Sequence, residues 1–69
     1  MVFTDLVFVP DDCCGSRLFA VAGTDSRRII VTDSGDGTYT VAVTHNGVLA
    51  EAVHRQQTKE QVNQFLIGI

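Results

Sequence analysis

The chain has 69 residues, a formal charge of −3 and a pI of about 5.0. Five Lys/Arg stand against eight Asp/Glu, short of the basic footprint with which phosphate-backbone binders displace counterions, so no direct binding to nucleic acid is expected. With 45% hydrophobic residues it can build a core, unlike disordered chains, and its length suits one domain over residues 1–69 that buries roughly 60% of its unfolded surface.

Residues 2–9 are rich in Val, Phe and Leu and read as a first strand, which Pro10 ends. This segment lacks the basic start of a signal peptide, and Asp5 interrupts its apolar run. The longest clean apolar run, residues 18–22, is far too short for a membrane span. A soluble, cytoplasmic protein with no membrane contact is expected. Asp11, Asp12, Cys13, Cys14, Gly15 and Ser16 carry turn chemistry. Residues 17–22 form a second strand, and residues 23–26 a loop. Residues 28–32, with Ile29, Ile30 and Val31, form a third strand.

Asp33, Ser34, Gly35, Asp36 and Gly37 make a glycine-rich turn before a fourth strand at residues 38–45. The stretch Gly35-Asp36-Gly37-Thr38-Tyr39-Thr40-Val41 resembles a strand segment of filamin-type immunoglobulin repeats. The resemblance implies a turn followed by a strand and carries no function. The chain is too short for a seven-stranded sandwich. Asn46-Gly47 suits a tight type I′ hairpin, since both residues tolerate positive φ. A fifth strand follows at residues 48–54. Thr58 and Gln61 then form a capping box. Val62, Phe65 and Leu66 make one apolar helical stripe, and Gly68 can stop the helix. The fold class is therefore α+β: a five-stranded antiparallel meander, open or curled toward a small barrel, with one C-terminal helix on one face.

Cross-strand partners share a face. Pairing about Asn46-Gly47 sets His45 beside Val48, Val43 beside Ala50 and Val41 beside Ala52. Matching apolar positions sets Val31 beside Tyr39, Ile29 beside Val41, Ala20 beside Ile29 and Leu18 beside Val31. The core face then holds Leu18, Ala20, Ala22, Ile29, Val31, Tyr39, Val41, Val43, Ala50 and Ala52 under the helix. The opposite face is mixed. It carries Phe19, Val21, Ile30, Leu49 and Val53 among Thr40 and other threonines, together with Arg17 and Glu51. One helix covers only one face, so these apolar side chains need a barrel interior, a second copy or another protein.

Chemistry-bearing residues are sparse. Cys13 and Cys14 could ligate a soft metal or form a redox pair. However, a thiolate site needs three or four ligands, and His45 falls at the far end of the sheet, leaving only His54. There is no C-x-x-C motif. Two adjacent cysteines make no disulfide framework, and packing as reduced small hydrophobes is the simpler expectation. The turn at Asp33 lacks the alternating acids of a calcium loop and the Gly-Lys-Ser/Thr of a phosphate loop. His54 falls on the core side near Tyr39, as a structural histidine rather than a general base. Neither an enzyme nor a bound cofactor is expected. Asp11, Asp12, Asp33 and Asp36 gather at one end of the meander, where turns favour Asp for local hydrogen bonds.

These features point to a non-enzymatic protein-binding module that uses Phe19, Val21, Ile30, Thr40, Leu49 and Val53, or the acidic end. The size and type match the small inhibitors or adaptors that phages and mobile elements encode against larger host proteins. In that case it would act in the host cytoplasm. One alternative is a structural homodimer that packs through the same face. Another is a small-ligand or metal-responsive domain built on Cys13 and Cys14.

Overall fold

The computed structural model describes residues 1–10, 18–50 and 52–68. Its strands are β1 (Val9–Pro10), β2 (Leu18–Gly23), β3 (Arg28–Asp33), β4 (Tyr39–His45), β5 (Val48–Leu49) and β6 (His54–Gln57). A short 3-10 helix spans Phe3–Asp5, and the helix α1 spans Lys59–Leu66. All strand pairs are antiparallel, in the order β1-β2-β3-β4-β5, and β6 also pairs with β4. The architecture is the expected α+β meander with one C-terminal helix. The sheet is open and does not close into a barrel.

The hairpin at Asn46-Gly47 has the expected register. His45 pairs with Val48, and the Ala50 N–H donates to the Val43 carbonyl at 2.9 Å. Both turn residues have positive φ, 52° and 83°, the backbone a type I′ turn demands. In the two earlier hairpins the expected register is off by two residues. Val31 faces Val41, Ile29 faces Val43, Ala20 faces Val31 and Ala22 faces Ile29. A slip of two keeps every side chain on its own face, so the expected division into two faces survives.

Two strands differ from expectation. Residues 2–9 are not one strand, because only Val9 and Pro10 pair with β2. The chain before them turns onto the helix side, where Phe3, Leu6 and Phe8 pack against the core. The Phe3 N–H donates to the Asn63 Oδ1 of α1 at 2.7 Å. Phe3 sits 4.9 Å from Tyr39 and 5.6 Å from Phe8, ring centre to ring centre. This aromatic packing outweighs the intrinsic β preference of Val and Phe.

The expected fifth strand, residues 48–54, is broken. It pairs as β5, leaves the ladder after Ala50, and returns as β6 with His54 opposite Val41. A one-residue bulge follows within β6, where Gln56 takes φ 55°. Ala52 therefore does not meet Val41, and both Ala50 and Ala52 are exposed rather than part of the core.

The core lies between the inner sheet face and α1. Ile29, Val31, Val41, Val62 and Leu66 are fully buried, joined by Ala20, Ala22 and Val43. Leu18 and Tyr39 are half-buried. The helix is fixed as its sequence foretells. The Gln61 N–H donates to the Thr58 hydroxyl, and the Thr58 N–H donates to Gln61 Oε1 at 2.8 Å, the reciprocal pair of a capping box. Among the described residues no helix is long and apolar enough to cross a membrane.

Candidate protein-binding face

The face of the sheet away from α1 is laid out in rows by the strand pairing. One row runs Val9, Phe19, Thr32, Thr40. The next runs Val21, Ile30, Ala42, and the third runs Arg28, Thr44, Leu49. No helix lies over these rows among the described residues. Val9, Val21 and Leu49 keep 47%, 51% and 52% of their surface exposed. Phe19, Ile30 and Thr40 are half-buried by their neighbours. Five of the six expected contact residues therefore share one surface. Val53 does not join its paired rows. It sits exposed in the break between β5 and β6, because the edge strand leaves the ladder there.

Val9 belongs to this surface as well. Its pairing with Phe19 puts it on the outer face. The Val9-Phe19 and Val21-Ile30 contacts make the outer apolar band, and threonines continue it along β4.

At one end of the sheet Asn46 donates its N–H to the Ser26 carbonyl at 3.3 Å, joining two turns. Arg28 pairs there with Asp25, an exposed bridge worth little to stability. His45 is exposed at this end. At the other end lie Asp33 and Asp36, while Asp11, Asp12, Cys13, Cys14 and Arg17 fall outside the described residues, as does Glu51. The Asp33 Oδ1 accepts the Gly35 N–H at 2.7 Å. The Asp36 Oδ1 accepts both the hydroxyl and the N–H of Thr38. The Thr38 hydroxyl bond, then its backbone bond, hold the Asp36 carboxyl below its ordinary value. Both carboxylates thus organise their own turn.

Beside this turn a shallow concavity of about 650 Å³ opens on the outer face, between Thr32, Asp36, Thr40, Arg55 and Gln56. The β6 bulge brings Arg55 and Gln56 to it, a placement that an unbroken fifth strand would not give. Polar groups of both signs line it, with no nucleophile–base pair among them. Among the described residues no three His, Cys, Asp or Glu side chains gather as a metal set. His54 lies on the core side, half-buried with its ring 4.7 Å from Phe65 and paired in the ladder with Val41. No known family, curated protein or solved structure matches the chain.

Proposed function

We propose that the chain is a non-enzymatic protein-binding module, an adaptor or inhibitor that docks its outer sheet face on a larger protein. The observation that carries this reading is the apolar band Val9, Phe19, Val21, Ile30 on the face opposite the helix. A solvated antiparallel face alternates to polar residues. Here apolar positions persist on strands whose other face already builds the core. Burial of each such side chain on a partner stabilises the complex by roughly 1.5–3 kcal/mol, and the threonine rows supply hydrogen-bonding contacts around it.

The test compares two charged variants as bait in lysate of the native host. Val21→Asp alters the centre of the outer face, and Gln64→Asp alters the exposed side of α1. A partner retained by wild type and Gln64→Asp but lost by a folded Val21→Asp supports the reading. A partner lost only with Gln64→Asp moves the interface to the helix. Light scattering on purified protein distinguishes a second copy from a foreign partner.

A further inference from the structure

We propose that the segment before Val9 has a second seat, with residues 5–8 paired as a strand along the open edge of β2. Two independent observations meet here. The first is the edge itself. The Thr24 N–H donates to the Arg27 carbonyl, so by antiparallel alternation the pairs Ala22–Ile29 and Ala20–Val31 carry the hydrogen bonds to β3. Val21 then turns its N–H and C=O to the other side. β1 pairs with Leu18 and Phe19 only, and no described residue pairs along that side of Val21. The edge at β1 is blunted by Pro10 and the edge at β6 by its bulge. The Ala20–Ala22 stretch has neither.

The second observation is the segment next to it. Residues 2–8 have strand-like composition yet leave the sheet one residue before Val9. Leu6 is already extended, at φ −73° and ψ 138°. Continuing the register of β1 sets Phe8 beside Ala20, Val7 beside Val21 and Leu6 beside Ala22. The parity is right at each position. Leu6 and Phe8 stay on the helix side, where they pack now. Val7, 77% exposed, joins Val21 on the outer face.

The two seats exchange one set of contacts for another. The present one holds Phe3 against Phe8 and Tyr39, under Lys59 Nζ at 5.8 Å, with its N–H on Asn63. The paired one covers Val7 and Val21 and satisfies both backbone groups of Val21. It also closes the edge and lengthens an outer row to Val7, Val21, Ile30, Ala42. The exchange would reshape the docking face, but it stands whether or not that face binds a protein.

Backbone-amide relaxation dispersion on the purified chain tests it, since this method senses minor states exchanging in microseconds to milliseconds. Val7 and Val21 are expected to show dispersion while Val31, in the core, stays flat. Asn63→Ala removes the acceptor for Phe3 and keeps a good helix former. It is expected to raise the minor population about fivefold, the weight of one hydrogen bond. Val7→Pro deletes the N–H that the paired strand must donate and is expected to abolish the dispersion at Val21. Flat profiles at Val7 and Val21 in both wild type and Asn63→Ala overturn the proposal. So does dispersion at Val21 that survives Val7→Pro.

Discussion

Two single positions show how local chemistry shapes the turns. Asp36 is fully exposed, yet its carboxyl is held below the ordinary value of 3.8 by the Thr38 hydroxyl and backbone N–H. A depressed folded value means that the anion's contribution to stability is complete above the unfolded value and is lost as pH falls through the folded one. A carboxyl-detected NMR titration should place the Asp36 midpoint below 3.8 in wild type and closer to it in Thr38→Val. Gly23 is the second position. It has φ 96°, and a Cβ there would lie 2.3 Å from the Arg27 carbonyl oxygen. That oxygen accepts the Thr24 N–H, so it cannot shift without opening the turn. Gly23→Ala should lower stability by about 1–3 kcal/mol, read as a lower urea midpoint with an unchanged slope.

The helix and the edge strands differ in how far their sequences specified them. The start of the helix was readable to the residue, because its cap at Thr58 is local, and its buried side followed from the stripe of Val62, Phe65 and Leu66. The β3–β4 and β2–β3 registers were readable in parity alone. Apolar residues recur every second position, so matching apolar to apolar is satisfied equally by a slip of two. The edges were least readable. Whether the segment before Val9 pairs with β2 or covers the core depends on Asn63 and Tyr39, 60 and 36 positions from Phe3 in sequence. No local pattern marks the break after Ala50 or the positive φ of Gln56. The outer face survived these errors because its residues sit mainly on β2, β3 and β4. The helix in turn predicts an unequal pair of variants. Thr58→Ala loses one cap, about 1 kcal/mol, and should melt roughly 4–8 °C lower. Leu66→Ala opens a cavity under a fully buried side chain and costs about 2–5 kcal/mol. Stabilities of roughly 0.05–0.15 kcal/mol per residue leave little after that, so circular dichroism should find Leu66→Ala largely unfolded at 37 °C.

For the molecule as a whole, size constrains how a partner can be held. A standard interface takes about 800 Å² from each side, and the whole surface here is 4559 Å². A partner bound as proposed would then cover more than a sixth of the molecule. The band of Val9, Phe19, Val21 and Ile30 is too narrow to supply it alone. If the chain docks as proposed, the contact would have to spread along the threonines of β3 and β4 toward the concavity at Arg55. Thr40 stands on that path, half-buried, with its hydroxyl 3.1 Å from Ser34 Oγ in an exposed pair. Replacing it leaves the core untouched. Thr40→Lys should therefore keep the wild-type melting temperature while placing an unpaired charge inside the footprint, weakening the Kd for a captured partner at least about tenfold, or 1.4 kcal/mol. Isothermal titration separates two footprints. Loss in both Thr40→Lys and Val21→Asp means the partner spans the sheet from β1 to β4. Loss in Val21→Asp alone confines it to the β1–β2 side, where so small a patch would hold only a weak or transient complex.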